Sequence, residues 1–101
     1  MQEHAAFGEN PIGFVTHYWS HLGVAGVHLT APLDVGDHIH IVGHTSNFEQ
    51  QVNSIEIDHH KLPHAEADAD VAIALVDHAR EHDTVYRMVE LSDVAAEESA
   101  I

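Results

Sequence analysis

The sequence is made of short runs rich in β-branched and aromatic residues, separated by turn signals. The longest apolar run, VAIALV, spans only residues 71–76, and no stretch of about 11 or more residues holds the 3.6-residue period of an amphipathic helix. About six such runs fall within roughly 80 residues, a spacing typical of a closed antiparallel barrel. The sequence therefore predicts an all-β protein, a six-stranded antiparallel β-barrel. We assign residues 11–90 to this barrel, 1–10 to an N-terminal extension and 91–101 to a short acidic tail.

Alternating side chains indicate which face of each predicted strand is buried. In HIHIV the two isoleucines, Ile39 and Ile41, face one side and the two histidines the other, because successive side chains point to opposite faces of a strand. The run FEQQVNSIEID, residues 48–58, changes phase half-way along. A β-bulge near Asn53 and Ser54 would reconcile its two registers. In VAGVHLT one face is apolar throughout, and it carries Ala25, Val27 and Leu29.

The charge balance is strongly acidic, with 17 Asp and Glu against 3 Lys and Arg and a formal net charge of −14. Such a surface repels phosphate backbones, since nucleic-acid affinity normally comes from Lys and Arg. Two interpretations stay open: a specific preference for cations or basic partners, or adaptation of the whole surface to high salt, where self-repulsion is screened. The acids are scattered singly rather than in one block, which favours the halophilic interpretation.

The absence of cysteine excludes disulfides and Cys-ligated zinc, and the N-terminus MQEHAAFGEN has neither the basic nor the apolar region of a signal peptide. We therefore expect a cytoplasmic location.

Twelve histidines leave a weaker alternative of metal binding. His38 and His40 lie on one predicted strand face about 6.6 Å apart, close enough to share a metal ion in principle. Neither Ser20 beside His21 nor the His17–His21 spacing comes with a recognisable catalytic motif, so we expect no enzyme activity and no cofactor.

Four segments carry a resemblance to a known family: IGFVTHY, GVAGVHLTAPLDVGDHIHIVGHT, FEQQVNSIEID and DTVYRM. In this order and spacing they resemble the β-barrel second domain of translational GTPases, the elongation factor Tu and initiation factor 2 group. The likeness is greater still to the stand-alone archaeal translation elongation factor-like proteins. PLDVGDHIHI is the most specific piece. In two segments, AEADADV and REHDTVY, this chain has Asp or His where the family has Gly. Asp and His are among the non-Gly residues that best tolerate positive φ.

The resemblance implies a docking module rather than an enzyme. There is no phosphate-binding loop Gly-x-x-x-x-Gly-Lys-[Ser/Thr], so no GTPase activity is expected. We expect a non-catalytic module that docks on the ribosome, tRNA or a translation-related protein; binding of RNA would rely on backbone amides, histidines and stacking on Tyr18 or Trp19. The alternatives are a protein–protein adaptor unrelated to RNA and a histidine-based metal-binding protein. The predicted contact surface is the turn VGHTSNF with the end of the preceding strand, and comprises His40, Gly43, His44, Thr45, Ser46 and Phe48.

Overall fold

A computed structural model describes residues 7–90 of the chain. These residues form ten strands and no helix, and hence no helix long and apolar enough to cross a membrane. The all-β prediction is therefore confirmed for this part of the chain. The last four residues of the predicted N-terminal extension belong to the first strand, and the predicted acidic tail lies outside the described residues. The strands are β1 (Phe7–Trp19), β2 (Val24–Leu29), β3 (Leu33–Asp34), β4 (His38–Val42), β5 (Asn47–Gln51), β6 (Ile55–Ile57), β7 (His60–Leu62), β8 (His64–Ala65), β9 (Asp70–Ala74) and β10 (Thr84–Glu90).

Eight of the strands form one antiparallel sheet in the order β5-β4-β10-β1-β2-β9-β6-β7, and β3 pairs with β8 in a separate ribbon. No backbone ladder joins the two edge strands, β5 and β7, so the sheet is not closed into a barrel. The predicted six-stranded barrel is thus corrected to an open eight-stranded sheet. The prediction counted too few strands because it treated the polar segment after residue 58 as a loop and the run 48–58 as one strand.

The run 48–58 is broken rather than bulged. Its first part lies in β5 and pairs with β4, whereas its second part forms β6 and pairs with β9 and β7. Between them Val52 leaves the ladder and its amide donates to the carbonyl of Asp37 at 2.8 Å. The phase change in the sequence therefore marks the point at which the chain exchanges one set of strand partners for another.

The core is formed by the inward positions of the strands, as the alternation predicts. Ile39 and Ile41 of β4 are buried, and the alternate residues His38 and His40 face outward. The inward face predicted for β2 is also confirmed, since Ala25, Val27 and Leu29 are all buried. The remaining buried aliphatic residues of this cluster are Ile12, Val15, Leu33, Val52, Ile55, Ala65, Val71, Ile73, Ala79 and Val85.

Two later turns have positive φ at residues other than glycine, as the sequence suggests. Asp68 has φ 73° and His82 has φ 79°, and these residues belong to the turn segments that lack glycine. The tight turn between β6 and β7 has the same property at Asp58 and His59, with φ of 51° and 66°. Asp, Asn and His are the side chains that occupy this region at the lowest cost, so the turns form without glycine.

One side chain links β5 to the end of β9, two strands that share no backbone ladder. Gln50 of β5 is buried, and its Nε2 donates to the carbonyl of Ala74, the last residue of β9, at 3.0 Å. Its Oε1 accepts from the amide of Val76 at 2.7 Å. A single amide side chain therefore takes the place of a strand ladder at this seam.

Candidate ligand-binding groove

The sequence predicts a contact surface at the turn between β4 and β5. In the structure, several polar groups of this turn form hydrogen bonds within the protein. The amide of Gly43 donates to the carbonyl of Ser46 at 2.8 Å, and Ser46 is buried. The hydroxyl of Thr45 accepts a hydrogen bond from Nε of Arg80 at 2.8 Å. Asp83 lies against the Cα of Gly43, and its Oδ2 accepts from the amide of Arg80 at 2.8 Å. Of the four turn residues 43–46, His44 and Thr45 are exposed.

The other two predicted contact residues lie on opposite faces of the sheet. Phe48 pairs with the buried Ile41 and packs against the core, whereas His40 faces outward. Nδ1 of His40 is 2.6 Å from a carboxylate oxygen of Glu9, and Nε2 is 2.6 Å from Oδ1 of Asn47. The hydrogen bond to Asn47 and then the Glu9 carboxylate raise the pKa of His40, against an opposing effect of burial. The structure therefore does not bring the predicted set together on one surface.

Several histidines make pairs with carboxylates across the surface. His64 lies between two carboxylates, with Asp34 at 2.6 Å from Nδ1 and Glu66 at 2.7 Å from Nε2. These two hydrogen bonds, Asp34 first, raise its pKa. With only three Lys and Arg in the chain, histidine supplies many of the side-chain partners of the acids. The further pairs are His17–Glu81 at 3.6 Å, His28–Asp70 at 2.8 Å and His38–Glu49 at 3.5 Å.

The same pairing bears on the alternative of a metal site. His38 and His40 do share a face, but His38 contacts Glu49 and His40 contacts Glu9. Within residues 7–90 no three His, Asp or Glu side chains come together in an arrangement that could hold a metal ion. The geometry of this histidine pair gives no support to the metal-binding alternative.

A concavity lies elsewhere, on the outer face of β2, β9 and β6. It has a volume of about 520 Å³, and Trp19, Leu22, Val24 and Ala74 form its apolar side. A second concavity of about 320 Å³ continues from it and shares Trp19, Glu56, His59 and Ala72 as a common wall. We call the two together the Trp19 groove. Its apolar end is formed by Trp19, Leu22, Val24 and Ala74, and its acidic end by Glu56, Asp58 and Asp70.

Small residues at outward positions make the floor of this groove. Gly26 of β2 pairs with Ala72 of β9, which in turn pairs with Glu56 of β6, so these three residues lie side by side on the same face. Trp19 covers Gly26, because ring atoms of the indole lie 3.4 and 3.5 Å from the position that a β-carbon on Gly26 would occupy. The depression therefore forms because large side chains lie along its sides, whereas the residues at its centre are small.

The carboxylates at the acidic end form few ion pairs with neighbouring side chains. Glu56 is half-buried, and among the described residues no ion pair joins it to a cation. Lys61 is its cross-strand partner in the β6–β7 ladder, yet the two do not form a salt bridge. Asp70 is hydrogen-bonded to His28, and Asp58 is exposed at the turn. The groove thus combines an apolar surface with three carboxylates.

Sequence reasoning identified Trp19 as a stacking residue but missed the groove around it. The available signal was the set of small residues at outward strand positions, Gly26, Ala72 and Ala74. That signal becomes meaningful only when β9 is known to lie between β2 and β6.

The sequence matches no protein family model and no curated protein. Among solved structures, it is similar to the C-terminal domain of a Geobacillus thermoleovorans protein assigned as a U32 peptidase. The TM-score is 0.71 at 22% identity, covering 75% of this chain and 89% of that one. The selenomethionine form of the same domain gives a TM-score of 0.72 at 22% identity, covering 75% of this chain and 96% of that one. The likeness is one of fold.

These neighbours contradict the resemblance to translational GTPases. The assignment to the translation elongation factor-like proteins is wrong, and so is the function inferred from it, a module related to elongation factors. The physical reason lies in the segments that carried the resemblance. PLDVGDHIHI encodes a turn followed by a strand that alternates inward isoleucine with outward polar residues, and any small antiparallel sheet needs such a unit.

Proposed function

We propose that this chain is a non-catalytic binding module that holds an extended segment of a partner protein in the Trp19 groove. The observation that carries the proposal is the exposure of large apolar side chains around a concave floor: Trp19 is 43% exposed and Leu22 is 69% exposed. Contiguous exposed apolar surface around a depression is a mark of binding sites. The groove is open and runs along the direction of β2 and β9, so its shape fits an extended polypeptide better than an enclosed small molecule.

The geometry of the candidate nucleophiles supports a non-catalytic role. Ser46, the serine closest in sequence to His44, is buried and its carbonyl is bonded to Gly43. His17 contacts Glu81 and the ring of Trp19 rather than a hydroxyl group. The two similar structures are each a C-terminal domain of a larger protein, which supports an accessory role for this fold. The cytoplasmic location stays a prediction.

Trp19 allows a direct test, since it is the one tryptophan of the chain. Random twelve-residue peptides selected by display on the full chain are titrated while the Trp19 emission is followed. We expect the selected peptides to change the emission and to bind Leu22→Ser about tenfold more weakly, as expected for the loss of one buried leucine contact.

Val76→Ser is the matched control, because Val76 is 70% exposed, as Leu22 is at 69%, but does not line the groove. Its affinity for the selected peptides should equal that of the unmodified chain. The proposal is overturned if selection enriches no peptide, or if Leu22→Ser and Val76→Ser bind the selected peptides equally well.

A further inference from the structure

We infer that the segment held by the Trp19 groove carries an apolar residue and, two or four positions away on the same face, an arginine or lysine that contacts Glu56. This inference rests on the proposed function and specifies its ligand class. The partner segment is thus basic as well as apolar.

The spacing follows from the two ends of the groove. Ala74, Ala72 and Asp70 are successive outward positions of β9, and residues two apart along a strand are separated by about 6.6 Å. Ala74 belongs to the apolar end and Asp70 to the acidic end, so the ends lie about 13 Å apart. An extended peptide spans that distance in about four residues, and reaches the level of Ala72 and Glu56 in about two.

The charge of the ligand follows from Glu56. This carboxylate is half-buried on the wall shared by both concavities and has no ion pair among the described residues. A partly desolvated carboxylate gains more from a cation than an exposed one does, since water screens the interaction less. Lys61 lies across from Glu56 without forming a salt bridge, so a ligand cation would add to that side of the groove rather than displace an existing pair.

The side chain of arginine or lysine also fits the mixed character of the groove. Its methylene groups can cover the indole of Trp19 and the floor at Ala72 while its charged head reaches Glu56. The net charge of −14 favours a basic segment for the same reason and disfavours a second copy of this chain as the occupant.

Three eight-residue peptides provide the test, identical except at one position. Each has leucine at position three, and position five is arginine, citrulline or glutamate, because residues two apart in an extended peptide face the same side; citrulline keeps the shape of arginine without its charge. Binding is followed through Trp19 emission in about 0.5 M KCl, where the Debye length is about 4 Å and direct contacts still count. We expect the arginine peptide to bind about tenfold more tightly than the citrulline peptide, and the glutamate peptide to bind more weakly than both.

Glu56→Gln should reduce the preference for arginine over citrulline to about one. Glu49→Gln is the control, because Glu49 is a carboxylate of β5 outside the groove, and it should leave the preference unchanged. Equal binding of the arginine and citrulline peptides to the unmodified chain, with both weakened by Leu22→Ser, would overturn the inference and leave the proposed function standing. Failure of all three peptides to bind a chain that does bind the display-selected peptides would likewise overturn the inference alone, whereas binding indifferent to Leu22→Ser would overturn the proposed function itself.

Discussion

The buried carboxylate of Asp83 lies against the Cα of Gly43, in the space that a β-carbon on Gly43 would occupy. Asp83 is 3% exposed and caps the amide of Arg80, so it has no free direction in which to move. The turn that the sequence presents as a contact surface is therefore joined to the loop before β10 by close packing. Gly43 is required at this position because a β-carbon would clash with the Asp83 carboxylate.

Gly43→Ala should accordingly destabilise the fold. The added methyl group would displace the Asp83 carboxylate from its hydrogen bond, and overpacking of this kind costs about 1 to 3 kcal/mol in the free energy of unfolding. Urea unfolding followed by circular dichroism measures the change. His44→Ala, at the exposed next position of the same turn, is the control and should change the midpoint little. A Gly43→Ala variant as stable as the His44→Ala variant would contradict this account.

Gln50→Leu should loosen the seam between β5 and the end of β9. Leucine keeps the bulk of the side chain but leaves the carbonyl of Ala74 and the amide of Val76 without their bonds to Gln50. We expect a loss of about 2 to 4 kcal/mol in the free energy of unfolding, because two polar groups lose their partner and each costs about 1 to 2 kcal/mol when water reaches it only partly. Amide hydrogen exchange at Val76 should accelerate in the same variant.

Gln51→Leu provides the comparison, since Gln51 is exposed and its side chain makes only a long bond of 3.4 Å to Gly36. Exchange at Val76 should be unaffected by it. If exchange at Val76 were equally slow in the unmodified chain and in Gln50→Leu, the bridge would not hold the seam.

The pairs that His40 and His64 make with acceptors should make stability depend on pH. Hydrogen bonds to Asn47 and Glu9 raise the pKa of His40 in the folded chain, and bonds to Asp34 and Glu66 raise that of His64. A raised pKa means that the folded state holds the proton more tightly than the unfolded state. The stabilisation is therefore fully present below the unfolded pKa of about 6.5 and is lost as the pH rises through the raised values.

Urea midpoints at about pH 6 and about pH 8, on either side of the ordinary pKa of histidine, measure this effect. The midpoint should be higher at the lower pH, and the difference should shrink in the double variant His40→Gln, His64→Gln. His21→Gln is the control for general loss of a histidine charge, since His21 is exposed and makes no ion pair among the described residues. Equal pH dependence in the double variant and the control would show that these pairs are not responsible.

Salt should stabilise the fold if the acidity reflects adaptation to a saline interior. At a net charge of −14, self-repulsion opposes the compact state, and the Debye length falls from about 10 Å at 0.1 M to about 3 Å at 1 M salt. We expect the melting temperature by circular dichroism to rise with KCl between about 0.1 and 3 M. A melting temperature insensitive to KCl would contradict the halophilic interpretation.

The sequence predicted those features that depend on neighbouring residues. Alternation placed Ile39 and Ile41 in the core, and the choice of Asp68 and His82 in turns without glycine matched their positive φ. Features that depend on which strands meet were missed. The break after Gln51 and the open sheet depend on long-range pairing, and neither leaves a local signal beyond a change of phase.

The groove was missed for a related reason. Gly26 and Ala72 are far apart in sequence and form one floor only through the register of β2 with β9. The family was misassigned because turn and strand patterns are shared by unrelated antiparallel sheets, so a match in these patterns does not identify a family. Alternation along a strand specifies its two faces but not its neighbours.

The two edge strands of the open sheet bear on the tendency of the protein to aggregate. Unpaired strand edges can template the growth of fibrils, and proteins resist this with short edges, edge lysines or covering groups. Here β7 is only three residues long with Lys61 at its centre, and Gln50 bridges the other edge to the end of β9. The shortness of β7 and the Gln50 bridge do not depend on charge, so these two barriers to aggregation persist in concentrated salt, where repulsion between acidic surfaces no longer keeps the molecules apart.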